Sequence, residues 1–198
     1  MRFLKGAGTL SFDDRAQLAG RVLELLELTR LGGNVTEDDV RALCERAQTP
    51  HGDVAAILVP PRYVMLAREI LGKRSRIAVC TVANWPRGNS KVDYVAAEAE
   101  IAFFEGADEV NVTLPWRQVI RRDERTPINM VEECVRMAGR KQCIKVTLEA
   151  GELDEDRLVR AAARVAIDYG AAFVETETGR QDRHCGLEQA RVMLEEIR

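Results

Sequence analysis

The feature that most constrains the fold of this sequence is a recurring pattern in which a short apolar run precedes a longer amphipathic stretch. The pattern repeats about every 25 to 35 residues, which suits one β-strand followed by one α-helix. Six strands are predicted, at residues 25–28, 55–59, 77–82, 109–114, 143–148 and 173–176. The chain is therefore predicted to consist of βα units.

Helical spacing of apolar residues supports this reading, since Val131, Cys134 and Val135 recur on one helical face. Gly106 and Gly170 are each predicted to end a helix just before a strand. Strands that alternate with helices predict a parallel sheet with right-handed crossovers. The periodicity is compatible with both a doubly wound open sheet and a (β/α) barrel. In either fold, functional residues are expected at the carboxyl ends of the strands.

Composition limits the classes of partner. The chain has 198 residues, of which 46% are hydrophobic, and a formal net charge of −3. One domain covering residues 1–198 is expected, with no general attraction to nucleic acids. The sequence has neither a signal-peptide pattern nor an apolar run of about 18 residues, so a cytoplasmic protein without a membrane anchor is predicted. Scattered cysteines and two separate histidines predict no metal site.

Polar residues alternate with apolar ones on two neighbouring predicted strands. Asn111 and Thr113 lie on one strand, and Lys145, Thr147 and Glu149 lie on the next. Because alternate residues of a strand point to the same side, these polar groups are expected to share one face of the sheet. A buried lysine requires a partner, and Glu175 is the expected one. The pair could be architectural or functional, and both possibilities stay open.

Four segments carry a resemblance to a known family. They are residues 81–89 (TVANWPRGN), 106–112 (GADEVNV), 145–153 (KVTLEAGEL) and 173–180 (FVETETGR). In this order and at this spacing they resemble motifs of deoxyribose-phosphate aldolase. That family cleaves 2-deoxyribose 5-phosphate to glyceraldehyde 3-phosphate and acetaldehyde on a (β/α)₈ barrel. Its mechanism uses a Schiff base on a lysine of the sixth strand and needs neither a metal nor an organic cofactor.

The resemblance implies an α/β fold that is an incomplete TIM-type barrel with about six parallel βα units, without the family's last two. Glu175 stands where the family has its Schiff-base lysine, and Asn111 stands where it has a proton-relay aspartate. A carboxylate cannot form an imine, and an amide cannot act as a base. Thr178, Gly179 and Arg180 match part of the family's phosphate site. We therefore expect the family's reaction to be lost or altered.

Two functions remain open from the sequence. Lys145 could be a relocated nucleophile in an aldehyde-lyase, acting on a small phosphorylated sugar or an aldehyde. Alternatively, the chain is a non-catalytic family member that binds a small molecule or serves as a scaffold or regulatory subunit. Six units leave two strand edges open, so we expect a homo-oligomer or a partner chain to cover them. Residues 1–10 could instead cover one edge, and a truncated barrel is a further possibility.

Overall fold

The computed structural model describes residues 12–197 and shows a curled half-barrel. In chain order its strands are β1 (Glu27–Thr29), β2 (Gln48–Thr49), β3 (Gly52–Asp53), β4 (Ala56–Leu58), β5 (Ala78–Ala83), β6 (Glu109–Thr113), β7 (Cys143–Thr147) and β8 (Phe173–Glu175). Strands β2 and β3 form a small antiparallel hairpin, and the other six form one parallel sheet in the order β1-β4-β5-β6-β7-β8. The prediction of an incomplete TIM-type barrel is confirmed.

Helices occupy the convex side of this sheet. They are α1 (Phe12–Leu23), α2 (Glu37–Ala47), α3 (Val64–Leu71), α4 (Val92–Phe104), α5 (Trp116–Ile120), α6 (Arg125–Met137), α7 (Ala150–Leu153), α8 (Asp156–Asp168) and α9 (Leu187–Glu196), with a 3-10 turn at Pro61–Tyr63. The main core lies between helices and sheet and includes Ile57, Val79 and Val146. Within the described part of the chain, no helix combines the length and apolar character needed to cross a bilayer.

The concave face of the sheet has a different composition on its two halves. Ala56, Leu58, Cys80 and Val82 form a small apolar cluster on strands β4 and β5. Strands β6 and β7 instead present polar side chains to the same space. Alternation along each strand separates this inner set from the core residues beneath the helices.

One contact between distant strands shows how strongly the sheet is curved. Lys145 lies on β7 and Glu27 on β1, four strand spacings apart in the sheet order. In a flat sheet this separation would be about 19 Å. Nevertheless, Nζ of Lys145 lies 2.6 Å from Oε2 of Glu27. The sheet must curl enough to bring its first and fifth strands together across a common interior, as in a barrel rather than an open doubly wound sheet.

Element boundaries match the predictions with one notable difference at β1. The strand begins at Glu27, whereas it was predicted over residues 25–28. The amide of Leu25 donates to the carbonyl of Val22, so this stretch forms the turn that ends α1. Gly106 and Gly170 follow helices with φ values of 107° and 94°, as predicted for glycines that end helices.

The sheet has two open edges. Among residues 12–197, β1 pairs only with β4, and β8 pairs only with β7. Residues 1–10, which were considered as a possible cover for one edge, lie outside the described residues.

Candidate functional site

A buried ionic cluster occupies the interior of the half-barrel, and Lys145 is at its centre. Its ammonium lies 2.6 Å from a carboxylate oxygen of Glu27, 2.9 Å from one of Glu109 and 3.7 Å from one of Glu175. Only 10% of the Lys145 side chain is exposed. The expected partner Glu175 is thus present, but Glu27 and Glu109 are closer. One ammonium is surrounded by three carboxylates.

These contacts determine the protonation state of Lys145. Burial on its own would lower the pKa of Lys145, but attraction to Cys80 and Glu27, with hydrogen bonds to Glu27 and Glu109, raises it above its usual value. Burial also raises the pKa of the Cys80 thiol, so this group is uncharged at neutral pH and attracts Lys145 only when it is deprotonated. At neutral pH the carboxylates are therefore the groups that raise the pKa of Lys145. Lys145 therefore remains an ammonium throughout the ordinary pH range.

Glu175 lies at the carboxyl end of β8 and points into the same interior. Nδ2 of Asn111 donates to both of its oxygens, at 2.8 and 2.9 Å, and the hydroxyl of Thr147 donates to one at 2.8 Å. Burial raises the pKa of Glu175 above its usual value, although Lys145 and these hydrogen bonds oppose the effect. The orientation of Asn111 is fixed by this pairing, because only its amide nitrogen can donate to a carboxylate.

A cavity of about 300 Å³ opens above this cluster, at the carboxyl ends of the strands. Its polar lining comprises Glu27, Thr29, Asn111, Thr113, Thr147, Glu175, Thr176, Glu177 and Thr178, and its apolar lining comprises Leu31, Leu58, Val82 and Trp85. We call this space the inner cavity. Its lining includes three carboxylates and no lysine or arginine. Its volume is at the lower end of the range for small-molecule sites.

A second cavity, of about 590 Å³, lies at the mouth of the half-barrel. It is lined by Gly32, Gly33, Trp85, Pro86, Arg87, Asn89, Arg117, Arg180 and Gln181. We call it the mouth cavity. Three arginines and no carboxylate contribute to it, so its charge is opposite to that of the inner cavity. Trp85 lines both spaces, and the guanidinium of Arg180 lies 5.5 Å from its ring centre.

The structure separates the three residues that were predicted to bind phosphate. Thr178 lines the inner cavity, Arg180 lines the mouth cavity, and Gly179 lines neither. Gly179 has a φ of 66°, so it provides the left-handed turn that redirects the chain between the other two. The amide of Thr178 donates to Glu149, which holds the start of this loop.

The alternation along β7 predicted that Glu149 would lie on the concave face with the other polar residues. The structure places it elsewhere. Strand β7 ends at Thr147, and Glu149 adopts a left-handed conformation with a φ of 55°. Its buried carboxyl accepts from Thr178 instead, and burial raises its pKa. The alternation rule holds only while the chain remains in the strand.

Sequence reasoning gave no site role to Glu27, Glu109 or Cys80. The signal for Glu109 was available, since it lies two residues before Asn111 and therefore on the same face. Ligand atoms of Glu27, Cys80 and Glu109 lie within 4.8 Å of one another, a spacing that could hold a metal ion. The ammonium of Lys145 already contacts both carboxylates and supplies the positive charge that this cluster needs.

A larger groove lies at the opposite end of the sheet, where the strands begin. Its volume is about 1020 Å³, and Arg68, Gly106, Asp108 and Gln142 contribute to it. Arg68 forms an ion pair with Asp108 and also donates to the carbonyl of Gly106. These contacts join loops at the amino ends of the strands. In barrels, residues at this end typically contribute to stability, whereas catalytic residues lie at the opposite end.

Comparison with solved structures places this architecture among the aldolases. A candidate deoxyribose-phosphate aldolase of Toxoplasma gondii is 27% identical, with a TM-score of 0.82, over 92% of this chain and 69% of that one. One from Coccidioides immitis is 22% identical, with a TM-score of 0.82, over 88% of this chain and 67% of that one. The deoxyribose phosphate aldolase of Aeropyrum pernix, described as tetrameric, is 20% identical, with a TM-score of 0.76, over 93% of this chain and 79% of that one.

The family comparison covers nearly the whole chain. Residues 21–198 match the model described as DeoC/LacD family aldolase. This range includes all the strands of the half-barrel and both cavities at their carboxyl ends. The chain therefore belongs to the DeoC/LacD family of aldolases.

Proposed function

We propose that this chain is a non-catalytic member of its family that binds a small polar molecule at the carboxyl ends of the strands. The observation that carries the proposal is the contact of Lys145 with Glu27 and Glu109, at 2.6 and 2.9 Å. A lysine must lose its proton before it can attack a carbonyl. The two carboxylates stabilise the charged form and so oppose this step.

Two further positions support the loss of the family reaction. Glu175 stands at the position that the resemblance assigns to the imine-forming lysine, and its carboxylate has no amine to offer. Asn111 stands at the position of the proton-relay aspartate, and its amide donates to Glu175 instead. An amide of this kind neither accepts nor releases a proton near neutral pH. The nucleophile and the relay are thus both replaced by groups that bind each other.

Lys145 as a relocated nucleophile is the competing hypothesis. It is favoured only by position, because Lys145 lies on the concave face near the inner cavity. However, Lys145 is not among the residues that line that cavity. Its side chain is only 10% exposed, and its ammonium contacts three carboxylates. We therefore prefer the binding function.

Reductive trapping tests this choice. The purified chain is incubated with acetaldehyde or 2-deoxyribose 5-phosphate, reduced with borohydride and mapped by peptide mass spectrometry. We expect Lys145 to be labelled no more than the exposed Lys73, Lys91 and Lys141. A catalytically active class I aldolase, treated in parallel, provides the positive control. A single preferred adduct on Lys145 would contradict the proposal and support a lyase.

We further propose that the mouth cavity binds an anionic group such as a phosphate. Arg87, Arg117 and Arg180 line it, and none of its lining residues is acidic. Arg180 donates to the carbonyl of Leu31 at 3.3 Å, and Arg117 donates to that of Arg87 at 2.7 Å. Each guanidinium has five donors, so these bonds leave others for an anion.

Replacement of Arg180 should weaken anion binding selectively. We expect Arg180→Met to lower the affinity for inorganic phosphate by about tenfold, because one charge-assisted contact is lost. Isothermal titration calorimetry measures the effect. Arg74→Met removes an exposed arginine away from the mouth and should leave phosphate binding unchanged. Equal affinities of the two variants would exclude Arg180 from the site.

The open strand edges support a proposed assembly. Phe173 on the edge strand β8 is 54% exposed. Among residues 12–197, no strand pairs with the free side of β8. We propose that a second copy of the chain or a partner chain covers this edge, since exposed parallel edges readily pair with other chains. A molar mass of 22.2 kDa at all concentrations in light scattering would contradict self-association.

A further inference from the structure

The outer face of helix α4 carries an apolar stripe that no part of residues 12–197 covers. Successive spacings of three, four and three residues place its members on one side of the helix, and they are Tyr94, Ala97, Ile101 and Phe104. Tyr94 is 65% exposed, Ile101 58% and Phe104 92%. The opposite face is also apolar and is buried against β5 and β6. A helix that is apolar on all sides is typically buried on all sides. We call these four residues the α4 seam.

The open edges of the sheet do not account for this exposure. Helix α4 packs on β5 and β6, the third and fourth of the six parallel strands, whereas the open edges are β1 and β8. A strand added beyond β1 or β8 would therefore leave the α4 seam exposed. Contiguous apolar patches on a surface typically mark a site of interaction with another molecule.

The two ends of the α4 seam differ in charge. At its carboxyl end, Phe104 and the exposed Met65 of α3 line the large groove at the amino ends of the strands. Apart from the ion pair of Arg68 with Asp108, the charged residues of this groove are three basic and two acidic ones, namely Lys73, Arg140, Lys141, Glu69 and Glu105. The groove is therefore apolar with an excess of positive charge. At the amino end of the seam, Tyr94 follows the acidic Asp93 in the first turn of α4.

The spacing of the α4 seam makes it self-complementary. Tyr94 and Phe104 lie five residues on either side of Ala99, and Ala97 and Ile101 lie two residues on either side of it. Two antiparallel copies of α4, related by a twofold axis at Ala99, would place each Tyr94 against Phe104 of the second copy. Each Ala97 would likewise face Ile101 of the second copy. Aromatic residues would then meet aromatic ones, and a small side chain would face a large one.

Charges favour the antiparallel arrangement over a parallel one. It brings Asp93 of one copy to the basic groove of the other, and Lys91 toward Glu105. Near the centre, Glu98 accepts from the amide of Asn84 at 2.8 Å, which directs this carboxylate toward its own chain. Parallel helices would instead place one basic groove beside the other.

We propose that the α4 seam is the interface of a homodimer, in which α4 of two copies packs antiparallel about a twofold axis. A buried aromatic side chain contributes roughly 150–250 Å². Tyr94 and Phe104, with Ile101 and Met65, therefore supply most of the about 800 Å² per partner that a standard interface buries. This interface is separate from the edge of β8 and does not depend on the non-catalytic function.

Replacement of Phe104 tests the interface. Light scattering of the original chain should give twice the 22.2 kDa of one copy. Phe104→Asp should raise the dissociation constant of the dimer by about 100-fold or more, because a twofold interface loses the contact twice. Ile120→Asp alters an exposed apolar residue on α5, away from the α4 seam, and should leave the dimer intact. A mass of 22.2 kDa for the original chain at all concentrations would overturn the proposal, and so would an undiminished dimer of Phe104→Asp.

A second variant separates the α4 seam from the open edge. Phe173→Asp alters β8 and should leave the α4 dimer intact, while reducing any larger assembly to that dimer. Dissociation of the dimer by Phe173→Asp but not by Phe104→Asp would assign the interface to the edge and overturn the proposal. Thermal melting shows whether each variant is folded, and the exposure of Phe104 predicts little change for its replacement.

Disulfide formation tests the orientation of the two helices. Ala97→Cys and Ile101→Cys are mixed in equal amounts, allowed to exchange subunits and oxidised, and the bonds are mapped by peptide mass spectrometry. The antiparallel dimer should give mainly bonds between position 97 of one copy and position 101 of the other. Bonds that mainly join like positions, 97 to 97 and 101 to 101, would overturn the antiparallel arrangement.

Discussion

Replacing Glu175 with lysine should give this chain the ability to form a trapped imine with acetaldehyde. The carboxylate of Glu175 lies 3.7 Å from the ammonium of Lys145, so the introduced amine would lie beside an existing positive charge. That charge and burial both lower a lysine pKa below its ordinary value of about 10.4. A larger neutral fraction would then attack the carbonyl. We expect labelling to change from background to the major species at position 175.

The site should tolerate this substitution because it has an excess of negative charge. Glu27 and Glu109 would still balance the ammonium of Lys145, whereas burial and that ammonium would favour the neutral form of the introduced amine. Adduct formation should rise with pH between about 6 and 9, since the neutral amine increases over that range. Peptide mass spectrometry after borohydride reduction measures the adduct at each pH.

Two control variants test whether labelling depends on the amine itself and on its position beside Lys145. Glu175→Arg introduces the same charge without an amine that can form an imine, so it should give no adduct at this position. Glu177→Lys places an amine elsewhere on the cavity lining, away from the contacts of Lys145, and should react less. Labelling of Glu175→Lys at the level of the exposed Lys141 would contradict the expected pKa effect.

Imine formation alone should not restore efficient cleavage. Asn111 cannot relay a proton, so the step that follows the imine lacks a general base. Adding Asn111→Asp to Glu175→Lys should raise the rate of cleavage by about 10²-fold. An aldehyde-coupled assay with 2-deoxyribose 5-phosphate measures the difference between the single and double variants. Equal rates would place the missing function elsewhere.

The part of this site that could be predicted from the sequence is the part set by local geometry. Alternation along β6 and β7 correctly brought Asn111, Thr113 and Thr147 to one cavity. The contact between Lys145 and Glu27 could not be predicted in this way, because the residues are 118 positions apart and meet only if the sheet curls. Periodicity does not encode curvature, so it left an open sheet and a barrel equally possible.

Because periodicity does not encode curvature, it also could not predict the excess of negative charge around Lys145. Glu175 was expected as the partner of Lys145 because their strands were expected to be neighbours, and the two groups do lie 3.7 Å apart. The shorter contacts come from Glu27 and Glu109. With a single carboxylate, the charge of Lys145 would have been balanced. Three carboxylates around one ammonium leave an excess of negative charge, and only the folded chain brings them together.

Lys145→Met should strongly destabilise the fold, because the three carboxylates would then face one another without a cation. Loss of one member of a buried ionic cluster costs about 3–5 kcal/mol. For a chain of this size we expect the melting temperature to fall by roughly 10 °C or more. Lys141→Met removes an exposed lysine and should change it little. Calorimetry or circular dichroism measures both variants.

The pH dependence of this loss identifies its cause. Without Lys145, Glu175 loses the positive charge that opposes the effect of burial, so its pKa in the folded state rises further above that of the unfolded chain. The folded variant then binds more protons than the unfolded one, so its stability is lost as pH rises from about 4.3, the usual glutamate value, through the raised pKa of Glu175. The deficit relative to the original chain should be small at pH 4 and largest above pH 7.

A double variant distinguishes repulsion from lost packing. Glu27→Gln added to Lys145→Met removes one of the unpaired charges and should recover about 1 kcal/mol or more at pH 7.5, whereas Glu27→Gln alone should destabilise the chain. A deficit that is constant from pH 4 to pH 8 and unaffected by Glu27→Gln would mean that the Lys145 side chain contributes only its methylene packing. In that case the ammonium would not be needed to hold the curled sheet together.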